Sequence, residues 1–274
     1  MDRQNQSVYK LIAIDCDGTL LNGKKELTEG TVEAIKRVKQ DGVKVVLASA
    51  RPFYRLKKFL KALDLLLDDQ YTIAFNGGLI IQNGTEKTVY SRSFQKEQLA
   101  ELLSVAKTYN PDVFMYGATE IYSSHDNEGY KKRNPDVNFN VVDVDALDLS
   151  ALEIYKFAYV NSPENIVKLR EIFPADVKER YETSSSVPQF IEVVTKNVTK
   201  SSALQTIGEI LGIKPSEMVV FGDEDNDLPM MKFAGCAVAM GNGSAAVKEC
   251  AHFVTKSNDE DGVAYALRKI FYGE

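Results

Sequence analysis

Three short apolar runs, at residues 10–14, 43–48 and 71–75, alternate with two stretches of helical period. This order constrains the fold more than any other feature of the chain. The runs lack the polar alternation of a half-exposed strand and read as strands buried on both faces. Between the first two, Val32, Ile35 and Val38 line one face of a predicted helix over 29–40, which Thr28 caps and Gly42 ends. Phe53, Leu56, Phe59, Leu60 and Leu63 repeat that spacing after the second run. Strand–helix–strand repeats of this kind predict an α/β fold, a Rossmann-like parallel sheet with helices on both faces.

The rhythm then lapses and returns. Residues 80–84 suggest a strand entering a hairpin, because Asn83-Gly84 suits a type I′ turn. A helix over 96–109 follows, then shorter strands at 113–116, 120–123 and 155–160, separated by polar loops at 125–136 and 182–186. From Gln189 the alternation resumes, with strands at 190–194, 218–221 and 236–239 and helices at 200–211, 226–233, 244–250 and 262–271. The expected organisation is a discontinuous core from 1–81 and 189–274, with an inserted α+β domain over 82–188.

A net charge of −6 argues against a broad nucleic-acid surface, and it means that an anionic substrate needs a locally positive pocket or a metal ion. No apolar run approaches the roughly 18 residues needed to span a bilayer. The first six residues are polar and lack the apolar stretch of a signal peptide. Cys16, Cys236 and Cys250 form no C-x-x-C spacing. These features together point to a cytoplasmic setting without a membrane partner.

Ligands of open parallel sheets bind beyond the carboxyl ends of the strands, and four polar clusters fall at such positions. Asp15-Cys16-Asp17-Gly18-Thr19 sets two carboxylates two residues apart, so that one can attack phosphorus while the other handles a proton. The same run also fits a plain strand-to-turn connection. Ser49-Ala50-Arg51-Pro52 offers a hydroxyl and backbone N–H groups at a helix entrance, a usable phosphate cradle or simply a helix cap. Thr199-Lys200 places a cation in the first turn of a helix, where the macrodipole disfavours it unless an anion faces it. Gly222-Asp223-Glu224-Asp225-Asn226-Asp227 packs four carboxylates together, a charge that a hard cation such as magnesium would balance. An EF-hand calcium loop fails here, because Leu228 stands where its glycine belongs and Ala234 where its glutamate belongs.

In this order the clusters resemble the haloacid dehalogenase superfamily, and more narrowly its Cof-type (subfamily IIB) phosphatases. The resemblance covers nearly the whole chain. It is supported by Phe75-Asn76-Gly77-Gly78, by Ala239-Met240-Gly241-Asn242 and by Ser257-Asn258-Asp259-Glu260-Asp261-Gly262-Val263-Ala264. It implies a C2B-type cap that governs specificity, and a small phosphate ester as substrate. It further implies Asp15 as nucleophile through an aspartyl-phosphate, Asp17 as acid and then base, and magnesium held by Asp15, the Asp17 carbonyl and Asp223 with support from Asp227. Ser49, the Ala50 N–H and Lys200 would bind the phosphoryl group; Asn226 would help position the phosphate or the nucleophile, with Asn76 and Gly77 near the substrate.

An Asp17 that donates a proton near pH 7 requires a raised pKa. Three positions depart from the family pattern: Ala50 and Ser201 replace common glycines, and Cys16 replaces a larger apolar residue. Ala50 would be strained if its φ were positive. Lys156 and the loop over 125–133 are candidates to contact the leaving group, or are ordinary surface charge. Magnesium-dependent hydrolysis of small phosphorylated metabolites, sugar phosphates or similar, is the expected activity; phosphomutase action on hexose phosphates and non-catalytic phosphate binding are the alternatives.

Overall fold

The computed structural model describes residues 8–133, 137–185 and 188–274. The polar N-terminal stretch and positions 134–136 and 186 of the two polar loops lie outside them. The chain enters through β1 (Leu11–Asp15), α1 (Glu29–Gln40), β2 (Lys44–Ala48), α2 (Phe53–Ala62) and β3 (Tyr71–Ala74), then β4 (Leu79–Gln82) and β5 (Lys87–Ser91). The middle of the chain forms α3 (Lys96–Tyr109), β6 (Asp112–Gly117), β7 (Glu120–Ser123), α4 (Glu128–Arg133), β8 (Asn138–Val141) and β9 (Ile154–Val160). It continues through α5 (Pro163–Ile172), α6 (Ala175–Arg180), β10 (Tyr181–Ser184) and β11 (Phe190–Thr195). The last part contains α7 (Lys200–Leu211), β12 (Met218–Gly222), α8 (Leu228–Phe233), β13 (Cys236–Ala239), α9 (Ala245–Cys250), β14 (Phe253–Val254) and α10 (Gly262–Tyr272).

Two compact units result. One comprises residues 1–51, 55–90 and 199–274; the other comprises 52–54 and 91–198. The first holds an eight-stranded sheet ordered β14-β13-β12-β1-β2-β3-β4-β5. Its strands from β14 to β3 run parallel, and β4 is antiparallel to β3. Alternate strand residues point to opposite faces. Leu11, Ala13, Val46, Ala48 and Val220 pack with Leu204 and Ile207 of α7 and Met230 and Met231 of α8. Ile12, Ile14, Val45, Leu47 and Val219 face the other way and are equally buried, as are Ile35 and Val38 of α1 and Leu267 of α10. Burial on both faces is why these strands read as unbroken apolar runs.

The second unit is a six-stranded sheet ordered β10-β11-β9-β6-β7-β8, antiparallel except between β7 and β8. Val113, Met115, Phe157, Tyr159, Ile191 and Val193 pack against Leu102 of α3, Leu169 of α5 and Val177 of α6.

Three expectations change. The segment 190–194, assigned to the core, pairs with β9 and β10 in the second unit's sheet. The hairpin over 80–91 instead extends the core sheet beyond β3. Its turn is not the two-residue type expected from Asn83-Gly84. Four residues separate β4 from β5, and Glu86 takes the left-handed conformation with φ 56°. Asn83 is buried, accepting a hydrogen bond from Thr72 (2.7 Å) and donating to the Leu65 carbonyl (2.9 Å), so its amide is committed to the neighbouring loop. Among the described residues, no helix is long and apolar enough to cross a membrane.

The predicted cap of α1 is present: Thr28 accepts from Thr31 N (3.3 Å), and its hydroxyl also donates to Asp261. Thr28→Ala removes both bonds. The expected loss is about 1 kcal/mol, read as a lower urea midpoint, with Thr28→Ser recovering most of it.

Candidate active site

β1 lies between β12 and β2, and all three parallel strands deliver their carboxyl ends to one edge of the sheet. Asp15 is the last residue of β1, opposite Ala48, so Ser49 leaves the neighbouring strand at the same level. Asp223 follows β12 directly. Thr199 accepts from Ser202 N (3.1 Å) and caps α7, so Lys200 is its first residue, as the sequence suggested.

Lys200 is fully buried. Its Nζ donates to Asp15 Oδ1 and to Asp227 Oδ1 (2.7 Å). Burial opposes the ammonium charge, but Asp15 and Asp227 outweigh it and hold the pKa above the ordinary lysine range. Gly77 makes this placement possible. Its φ is +111°, and a Cβ there would lie 2.3 Å from the Thr199 carbonyl oxygen. The 75–77 turn can therefore press against the residue that caps α7.

Asp15, Asp223 and Asp227 each offer a carboxylate oxygen within 4.8 Å of the others. Burial pushes Asp15 above the usual carboxylate range despite Lys200, and Asp227 and Asp223 add to the shift. Burial likewise pushes Asp223 up to about 6, opposed by a hydrogen bond from the Thr19 hydroxyl (2.6 Å) and reinforced by Asp227 and Glu224. Both shifts come first from burial, and a bound divalent cation would oppose them. The all-oxygen donor set suits a hard metal ion, so the residues present fit the metal that the resemblance implies. Asp227 is the most committed of the three: its Oδ2 also accepts from the N–H groups of Asp223 (3.0 Å) and Glu224 (3.2 Å).

Asp17 stands apart from this cluster. Arg51 grips its carboxylate with two hydrogen bonds, Nε to Oδ2 (2.7 Å) and a terminal nitrogen to Oδ1 (2.6 Å), and Lys25 adds a third at 2.7 Å. Burial alone would raise its pKa, but these cations overcome it and hold the group at about 2. The neutral Asp17 that acid catalysis calls for is therefore not the form this arrangement stabilises. The raised carboxylates are Asp15 and Asp223 instead.

Ser49 is buried and accepts from Arg51 N (3.1 Å), which leaves its hydroxyl proton available to an anion. Ala50 does not adopt positive φ, so the strain considered for alanine does not arise. Asn226 donates to the Asn76 side chain (3.3 Å), bringing two predicted residues together. Cys16 is buried and its thiol pKa is pushed up by burial, as befits a small packing residue. Lys156 belongs to the second unit, where it pairs with Glu192 (2.7 Å) and lies over the Tyr116 ring. His125, also there, pairs with Asp112 (2.9 Å).

The side chains of Thr19, Lys25 and Arg51 were not anticipated. Thr19 and Arg51 stand inside motifs already singled out. Lys25 carries no local signal, because its role follows from a turn that the Asn22 side chain ties together by accepting from the N–H groups of Lys24 and Glu26 (both 3.0 Å).

A sequence model of the family described as haloacid dehalogenase-like hydrolase matches residues 12–267. The chain is 34% identical to YxeH of Bacillus subtilis (strain 168), over 96% of this chain and 98% of the relative. It is 30% identical to the 5-amino-6-(5-phospho-D-ribitylamino)uracil phosphatase YitU of the same organism, over 95% and 97%. Among solved structures, a haloacid dehalogenase-like hydrolase from Bacteroides thetaiotaomicron superposes with a TM-score of 0.87 at 30% identity, covering 96% of this chain and all of that one.

If Arg51 holds Asp17 ionised, Arg51→Met should move the Asp17 carboxyl titration up from about 2 toward the ordinary 3.8. The carboxyl-carbon chemical shift of Asp17 followed against pH would show this, and an unmoved midpoint would mean that Lys25 suffices.

Proposed function

Because the chain belongs to the haloacid dehalogenase-like hydrolases and is a phosphatase, we propose that it hydrolyses small phosphorylated metabolites, with magnesium as its metal and Asp15 as its nucleophile. The observation that carries this reading is the fully buried Lys200, paired with Asp15 and Asp227 beside Asp223. A buried cation in a carboxylate cluster is costly as scaffolding, yet it is well placed to receive a phosphate dianion.

On this reading Asp15, Asp223 and the Asp17 carbonyl hold the metal, and Asp227 supports them. Bound there, magnesium supplies positive charge for the phosphoryl oxygens and relieves their repulsion with the nucleophile. Lys200, the Ser49 hydroxyl and the Ala50 N–H bind the phosphoryl group, and Asn76 with Asn226 orients the ester. An Asp15 oxygen attacks phosphorus and the bond to the leaving oxygen breaks, while Asp17 gives that oxygen a proton. Water then attacks the aspartyl-phosphate as Asp17 takes a proton back, which returns the Asp15 carboxylate and inorganic phosphate. To donate its proton, Asp17 must first leave Arg51 and Lys25, so the acid step includes the release of an ion pair. The inserted unit is the specificity domain on this reading. Sugar phosphates are the first class to test, with the phosphoribityl substrate named for YitU as the second.

The test is phosphate release from p-nitrophenyl phosphate and from a panel of sugar phosphates. Asp15→Asn should lower kcat by roughly a thousandfold or more, and removing divalent ions with a chelator should abolish turnover until magnesium is restored. Retained turnover in Asp15→Asn would overturn the nucleophile assignment. Transfer of phosphate to a second sugar hydroxyl, instead of its release, would replace hydrolysis with a mutase reaction.

A further inference from the structure

Two asparagines that the reaction does not use tie the nucleophile loop to the C-terminal part of the chain. Asn242 Nδ2 donates to the Gly18 carbonyl (2.8 Å), and its Oδ1 accepts from Asn258 N (2.9 Å). Asn258 Nδ2 in turn donates to the Leu21 carbonyl (2.8 Å). Asp259 extends the line by accepting from Gly23 N (2.7 Å). The two carrier loops are themselves fastened together, since Gly241 N donates to the Lys256 carbonyl (2.9 Å), and the Asn258 loop closes on itself through Gly262 N to the Ser257 carbonyl (3.0 Å). The result is a strap of side-chain amides along one side of the turn over 15–21. The other side of that turn closes on itself, through Leu20 N to the Asp15 carbonyl (3.0 Å) and Leu21 N to that of Cys16 (2.9 Å).

The strap grips this turn at its most sensitive point. Gly18 sits between Asp17, the proposed acid and base, and Thr19, whose hydroxyl holds Asp223. Its φ of +86° is open only to glycine at low cost, and a Cβ there would lie 2.2 Å from Asp223 Oδ2. A rotation of the Gly18 peptide would therefore swing Asp17 and disturb the partner of Asp223 together. Asn242 is exposed, and an exposed side-chain hydrogen bond adds little to global stability. What the Asn242 amide does supply is direction: a donor aimed at one carbonyl and an acceptor fixed by a loop on the far side.

We propose that Asn242 is a positioning residue for phosphoryl transfer, acting with Asn258 through the Gly18 peptide to aim Asp17 and Thr19. The inference rests on the phosphatase reading above. Asn242→Asp keeps the shape of the side chain but turns an oxygen, in place of the donor, toward the Gly18 carbonyl. In the full-length protein with magnesium and p-nitrophenyl phosphate, kcat should fall at least tenfold while KM stays within threefold and the melting temperature moves by only a few degrees. Deuterium exchange at the amides of Thr19, Leu20 and Leu21 should quicken at least tenfold. A kcat within twofold of the parent, or unchanged exchange at these amides, would overturn the proposal. If Asn242→Asp does not fold, Asn258→Ala decides by the same two measurements, because it keeps the backbone donor to Asn242 and loses only the bond to Leu21. If the parent protein turns over no substrate, the phosphatase reading fails, and the exchange measurement alone decides whether the strap sets the Gly18 turn.

Discussion

The ammonium of Lys200, with none of its side chain exposed, lies between the carboxylates of Asp15 and Asp227. Each of these charges would be expensive to bury alone and becomes tolerable only in the company of the others. The triplet therefore fixes three separate parts of the chain at once: the end of β1, the start of α7 and the turn after β12. It also explains a local oddity of the sequence, a cation in the first turn of a helix. The capped helix sets Lys200 where the dipole is unfavourable, and the two carboxylates more than offset it. The requirement reaches further back into the chain, because α7 can begin there only if the 75–77 turn yields space, which Gly77 does.

Two carboxylates two residues apart end in opposite electrostatic states. Asp15 is buried among like charges and pushed upward; Asp17 is half-exposed and held at about 2 by Arg51 and Lys25. Separation of this kind lets neighbouring acids take different parts. Here the direction is the reverse of what acid catalysis by Asp17 would call for, and the reason is geometric. The turn through Gly18 carries Asp17 away from Lys200 toward the loop after β2, where a guanidinium with little exposed surface meets it side-on. The state of Asp17 is thus set by its partners more than by its depth, and it changes when they let go.

The parts of the fold that were legible in the sequence are those governed by nearest neighbours along the chain. Apolar runs and capped amphipathic stretches placed β1, α1, β2, α2, β3 and α7 within a residue or two, because burial on two faces and helix capping leave local signatures. β11 shows where that ends. A short, mostly apolar strand announces that it is buried but not which sheet it joins, and the choice was made by pairing with β9 across thirty residues. Asn83-Gly84 failed for a related reason: a dipeptide suited to a tight turn was recruited to satisfy Thr72 and Leu65 instead. In the site, residue types and order disclosed which groups gather at the strand ends. They did not disclose charge states, since those depend on side chains such as Lys25 and Arg51 that arrive from other loops.

The hydrogen bonds of the acidic cluster divide its labour in a way that composition alone does not show. Asp227 gives one oxygen to Lys200 and the other to two backbone N–H groups, so it is a fixed anchor. Asp15 gives one oxygen to Lys200, and Asp223 gives one to Thr19. Each of these two residues thus keeps a second oxygen outside the hydrogen bonds described here, on carboxylates whose pKa burial has raised. On the metal-dependent reading, those oxygens would be the ones available to a hard cation. Asp227 thus orients Lys200 and the loop after β12, while Asp15 and Asp223 would be the acids left to meet a metal on the proposed reading.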